Sequence, residues 1–114
     1  MVNRGEIWWA DFGAPRGSAP AYDRPILIVQ SNAFNRSGIQ TVLIVPLTSN
    51  LRLGQAHGNV VLTARVTGLP KDSVANVSQL TSLDKSFLHE PCGKIDGHSM
   101  QKVEDGIRKV LALS

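Results

Sequence analysis

Arg24 and Thr48 are the two residues whose type and setting best suit chemistry. Arg24 stands before Pro25 and the apolar run Ile26-Leu27-Ile28-Val29. A second apolar run, Val42-Leu43-Ile44-Val45, leads into Pro46-Leu47-Thr48-Ser49-Asn50. Each polar side chain thus marks the end of a run apolar enough to be a buried strand, where a rigid scaffold can hold it beside a loop. A guanidinium forks two donors onto a phosphate, and a threonine hydroxyl can add a third. The pair suits phosphodiester chemistry without a metal. Each residue also has a plainer reading. An arginine before a proline can simply pair with Asp23 or Asp11, and a threonine at a strand end commonly forms a turn.

Other polar residues could serve the same chemistry. Ser49 and Asn50, directly after Thr48, can add phosphate or base contacts. Residues 13–23 (GAPRGSAPAYD) form a long, turn-rich connection carrying Arg16, Ser18 and Tyr22. Connections of that length in a small domain are often functional. A basic loop of this kind can close over single-stranded nucleic acid, with Tyr22 stacking on a base; otherwise it is only a connector. Ser73, Asn76, Ser78 and Gln79 fall on one predicted strand, 73–80, where they either face solvent or read the edges of unpaired bases.

The remaining reactive side chains offer less. His57, His89 and His98 are dispersed, with no metal-ligand spacing between them. Cys92 is the only cysteine, beside Pro91 and without a basic neighbour, so neither a disulfide nor a nucleophilic role is expected. No cofactor is implied. Trp8 and Trp9 read as core and subunit-contact residues. Adjacent strand residues face opposite ways, so at most one of the two can lie in a site.

The 114 residues are 42% apolar and carry a formal charge of +3. That length suits one domain, 1–114, burying roughly two-thirds of its extended surface. No apolar stretch is long enough to span a bilayer. The start of the chain is polar, without a signal-peptide core, so a reducing, cytoplasmic setting is expected. No acidic residue lies between Asp23 and Asp72, a segment that holds Arg24, Arg36, Arg52, Arg65 and Lys71. A surface of this kind favours a polyanion. Five cations over that length also fit scattered, solvated charge.

The elements that must position these residues can be read from pattern. Strands are expected over 7–12, 26–30 (starting from Arg24), 41–47, 60–64, 73–80 and 94–96. Pro46 should mark a strand end, a bulge or an edge. The polar stretch 31–40 has room for one helical turn. Asp84 can cap a brief helix through Leu88, and Asp96 a final one in which Met100, Val103, Ile107, Val110 and Leu111 keep the helical period. Short strands followed by one amphipathic helix predict a mainly β fold, a strongly bent sheet or small barrel with the helix packed on it.

Arg4-Gly5-Glu6-Ile7-Trp8-Trp9, Arg24-Pro25, Pro46-Leu47-Thr48-Ser49, Leu69-Pro70-Lys71-Asp72-Ser73 and the continuation through Leu80 occur in an order that resembles the MazF/PemK family of toxin endoribonucleases. The resemblance covers nearly the whole chain. It implies an SH3-like barrel with a C-terminal helix, and it makes Arg24 and Thr48 catalytic. The implied activity is cleavage of single-stranded mRNA by attack of the substrate's own 2′-OH, leaving a 2′,3′-cyclic phosphate (or 3′-phosphate) and a 5′-OH. Implied partners are a second copy, forming a homodimer, and an antitoxin with an acidic segment. The chain departs from the family near Ala19 and at Asp23, where many relatives carry an acidic and a basic residue. A non-catalytic module of the same fold that grips a protein, as gyrase-poisoning toxins do, is the alternative; such a binder does not need Arg24 with Thr48.

Overall fold

The computed structural model describes residues 1–11 and 23–114. Its strands are β1 Glu6–Asp11, β2 Asp23–Ile28, β3 Thr41–Thr48, β4 Val60–Leu62, β5 Ser73–Ala75, β6 Thr81–Asp84 and β7 Leu88–Lys94. The helices are α1 Asn32–Asn35, α2 Ala64–Thr67 and α3 Gly97–Leu111, joined by short 3₁₀ turns at Leu51–Gln55, Val77–Gln79 and Lys85–Phe87. All ladders are antiparallel, in the order β4-β5-β3-β2-β1-β7, with β6 also paired to β3. The result is a mainly β half-barrel with a C-terminal helix. Among the described residues no ladder joins the outer strands β4 and β7.

Two register shifts in the β1–β7 ladder, on either side of Trp8-Trp9, bend the sheet. The turn α2 then lies against β7. A Cβ on Gly93 would collide with the Thr67 carbonyl, so only glycine permits that approach. Gly68 ends α2 in the left-handed region, at φ 79°.

β3 is the hub of the sheet. It pairs with β6 over Thr41–Ile44 and with β5 at Leu47 and Thr48, while β2 runs along its other side. Pro46 does not end the strand. It falls between the β6 and β5 ladders, where a missing N–H breaks no pairing, and its carbonyl accepts the Asn76 N–H at 3.0 Å.

Side chains alternate between the two faces as a strand period requires. Ile7, Leu27, Val45, Leu47 and Ala75 form one core with Leu62, Leu69, Ile95, Met100 and Val103. Ala10, Ile26, Ile28, Val42 and Ile44 form a second with Val2. Trp9 packs against the first and Trp8 against the second. The Asp96 carboxylate caps α3 by accepting the Ser99 N–H at 2.7 Å, and Asp84 caps its 3₁₀ turn by accepting the Ser86 N–H at 2.9 Å. Only the first part of α3's apolar stripe is covered; Val110 and Leu111 are exposed.

Three predicted strands need correction. The one expected over 60–64 ends at Leu62, and Thr63 and Ala64 open α2. The segment 73–80 is strand only to Ala75 and then turns through Val77–Gln79. The strand expected at 94–96 is the end of β7, which starts at Leu88; Ile95 and Asp96 lie beyond it. Among the described residues no helix is long and apolar enough to cross a membrane.

Candidate functional site

The register between β2 and β3 decides the geometry. The β2–β3 ladder ends at Ile26 facing Pro46; Arg24 and Thr48 each lie two residues beyond that last pair on their own strands. An even step keeps both side chains on one face of the sheet, where opposed residues have Cβ atoms about 4.5–5.5 Å apart. Both are half-buried. Strand alternation therefore puts the two residues on the same face at one end of adjacent strands, though 24 positions separate them in the chain.

The Thr48 hydroxyl accepts one hydrogen bond from its own turn. Its Oγ1 accepts the Asn50 N–H at 3.2 Å, which leaves its own hydrogen to donate outward. The turn reading and the catalytic reading of Thr48 are therefore compatible. Asn50 in turn accepts the Arg52 N–H at 3.2 Å, capping the Leu51–Gln55 turn. Just before Arg24, the Asp23 Oδ1 lies 3.1 Å from His89 Nε2.

Behind this patch, on the other face of the strand ends, a cavity of about 210 Å³ is lined by Trp9, Pro25, Ser49, Leu69, Pro70, Lys71 and Ser73. The structure brings Ser49 and Ser73 together here, by continuing the Leu47–Ala75 register. Trp9 is the tryptophan that borders this cavity. Sequence reasoning allowed for one such residue but could not choose between the pair, because the choice depends on which face β7 and α2 leave open.

The predicted set over 73–79 does not stay together. Ser73 is buried at the start of β5, and its hydroxyl donates to the Lys71 carbonyl at 3.4 Å. Asn76 sits beside Pro46, while Ser78 and Gln79 lie on the exposed 3₁₀ turn and not on a common strand face. Arg16, Ser18 and Tyr22 lie outside the described residues. Sequence reasoning missed Asn59. Its Oδ1 accepts the Val77 N–H at 2.9 Å, and its Nδ2 donates to the Leu53 carbonyl at 2.9 Å and to Asn76 Oδ1 at 3.2 Å. Its neighbours in the chain, Gly58 and the apolar Val60-Val61, carry no signal of that role.

Among the described residues no group of three or more His, Cys, Asp or Glu is clustered to hold a metal ion. Burial, and then the charge of Glu90, push the Cys92 thiol pKa up, which disfavours the thiolate a nucleophile would need.

Residues 3–111 match the model of the PemK-like, MazF-like toxins of type II toxin–antitoxin systems. The chain belongs to that family. Within it, the endoribonuclease MazF6 of Mycobacterium tuberculosis is 43% identical over 113 residues, 99% of each chain. The endoribonuclease EndoA of Bacillus subtilis is 28% identical, covering 99% of this chain and 97% of its own. The fold also matches an endoribonuclease solved in complex with its cognate antitoxin from a mycobacterial species, with a TM-score of 0.81 and 24% identity over 100% and 98% of the two chains. MazE-MazF from Deinococcus radiodurans gives a TM-score of 0.81 at 22% identity, over 99% and 97%. At these identities the two structures speak for the fold alone.

Proposed function

We propose that this chain is the toxin of a type II toxin–antitoxin pair and a sequence-specific, ribosome-independent endoribonuclease that cuts single-stranded mRNA in the cytoplasm and so arrests translation. Family membership supports the class of activity. The observation that carries the mechanism is the common face of Arg24 and Thr48 at the ends of β2 and β3.

In this reading Arg24 forks onto the non-bridging oxygens of the scissile phosphate and stabilises the charge that develops there, the kind of effect that often dominates catalysis. Arginine is a poor general base, so its part is electrostatic. Thr48 donates its hydroxyl hydrogen to the same phosphate and holds it in line. The site residues are guanidinium, hydroxyls and amides; none is a strong nucleophile and none forms a metal-ligand set. The attacking oxygen is therefore the substrate's 2′-OH. It bonds to phosphorus as the P–O5′ bond breaks. The 2′ proton passes to solvent, and the departing 5′ oxygen takes one up. The cavity beside Trp9 takes an unpaired base, with Ser49 and Ser73 at its wall, and Lys71 contacts backbone phosphate. Arg16, Ser18, Tyr22, Asn50 and Gln79 serve as further RNA contacts. Two copies shape the groove, and the basic segment 24–71 suits an antitoxin with an acidic tail.

The experiment compares matched RNA oligonucleotides in excess chelator, one with a single 2′-deoxy sugar 5′ of the scissile bond. The unmodified strand is expected to be cut and the substituted strand to bind but stay intact at that bond. Cutting of the substituted strand would make water the nucleophile and end this mechanism. Binding without cutting of either strand would favour a non-catalytic module.

A further inference from the structure

Asn76 lies at the edge of the proposed site, and its orientation is set from outside it. Its Oδ1 accepts two hydrogen bonds, from Asn59 Nδ2 at 3.2 Å and from the Ser78 hydroxyl at 3.4 Å. Its backbone N–H is fixed to the Pro46 carbonyl at 3.0 Å, two residues before Thr48. With Oδ1 turned inward, the two hydrogens of Asn76 Nδ2 are what this side chain can offer a ligand. Asn76 is half-buried, and its Nδ2 is not among the buried unpartnered atoms.

Asn59 has no comparable freedom. Both hydrogens of its Nδ2 are used, on the Leu53 carbonyl and on Asn76 Oδ1, and its Oδ1 holds the Val77 N–H. A flipped Asn59 would set Oδ1 against two oxygens and Nδ2 against an N–H. The backbone groups of Leu53 and Val77 therefore fix Asn59, and Asn59 fixes Asn76.

We infer that Asn59 is a positioning residue for specificity: it holds Asn76 as a donor-only reader that selects, at one position of the RNA, a base presenting an acceptor edge. At the exocyclic position where uracil O4 and guanine O6 accept, cytosine N4 and adenine N6 donate, so a donor aimed there separates the two pairs of bases. The inference rests on the nuclease reading above and adds a determinant of its sequence preference.

The test is cleavage of single-stranded RNA randomised around the cut, read by sequencing of the ends. Wild type, Asn76→Asp, Asn59→Asp and Asn59→Ala are compared, with melting curves for each. Asn76→Asp replaces a donor with an acceptor, so at one position the preference should move by about tenfold towards amino-bearing bases, the worth of one hydrogen bond. Asn59→Asp places a carboxylate where Asn76 Oδ1 had a donor. Asn76 should then turn its Nδ2 inward and present Oδ1, giving the same shift at the same position. Asn59→Ala leaves Asn76 free to adopt either orientation and should relax that position alone. A lower rate with unchanged preference in all three variants would make Asn59 merely structural and overturn the inference. If Asn59→Asp fails to fold, the other two decide: a shift with Asn76→Asp and relaxation with Asn59→Ala support it, and unchanged preference in either refutes it. A wild type that cuts no RNA would instead remove the nuclease reading, and this inference with it.

Discussion

The two ends of β3 carry networks of the same chemistry in different surroundings. Where β3 begins, Gln30 and Asn35 are 6% and 3% exposed. Gln30 Nε2 donates to Asn35 Oδ1 at 2.9 Å, and Gln30 Oε1 accepts the Leu43 N–H at 3.3 Å. Asn35 Nδ2 donates to the Gln30 carbonyl at 3.2 Å and to Asn32 Oδ1 at 3.1 Å, and that same oxygen accepts the Arg4 N–H at 2.7 Å. Where β3 ends, Thr48, Asn50, Asn59 and Asn76 are half-buried or exposed. Both networks are neutral and hold a connection in place. The buried one spends its hydrogen bonds on the protein, because an unpaired polar group there would be costly. The open one can leave the Thr48 hydroxyl hydrogen and the Asn76 amide hydrogens for a ligand, since water satisfies them in its absence. Burial, more than residue type, separates a structural polar cluster from a site.

The comparison can be broken at either end. The largest effect is expected at the open end, from Arg24→Ala. Removing one preorganised donor to a developing anion costs about 10²–10³ in rate. Single-turnover cleavage by a variant with an unchanged melting curve measures it. Arg24→Lys should also be slow, because an ammonium cannot make the planar fork. Near wild-type turnover by folded Arg24→Ala would remove the site from this end of the sheet.

At the buried end the effect should fall on stability instead. Asn35→Ala strips partners from Gln30 Nε2 and the Gln30 carbonyl, at about 1–3 kcal/mol. Chemical denaturation should report that loss while cleavage per folded molecule stays at the wild-type rate. A slowed reaction in a variant of unchanged stability would mean that the two ends are not separate.

The smallest effect belongs to neither network and calibrates both. The Asp96 carboxyl is held below its ordinary pKa by the Ser99 N–H, then by the Ser99 hydroxyl, and further by His98 and Lys102. The Asp84 carboxyl is lowered in the same way by the Ser86 N–H and then the Ser86 hydroxyl. A depressed folded-state pKa stabilises above the unfolded value, and the contribution is lost as pH falls through the folded one. The melting temperature should therefore drop slightly below the usual carboxylate range, and less so in Asp96→Asn, whose cap does not titrate there. An identical acid slope in that variant would show that the cap contributes nothing.

Local signals set much of this protein. The apolar runs after Arg24 and before Thr48, the caps Asp84 and Asp96, the helical turn in 31–40 and the period of α3 are all written in neighbouring residues, and each formed near its expected place. The motif order was enough to indicate the family. Other features needed partners far away in the chain. Arg24 and Thr48 come to the same face and the same end of the sheet only through the β2–β3 register. Trp9 borders a cavity and its neighbour Trp8 packs against the second core, because adjacent strand residues face opposite ways. The segment predicted as strand over 73–80 keeps the β3 register as far as the Asn76 N–H on the Pro46 carbonyl and then leaves it, because the Val77 N–H finds the Asn59 side chain, 18 positions earlier, and not a neighbouring strand. Period and composition report what a segment can bury. Where its backbone hydrogen bonds go is a matter of which distant groups arrive beside it, and only the tertiary structure decided that.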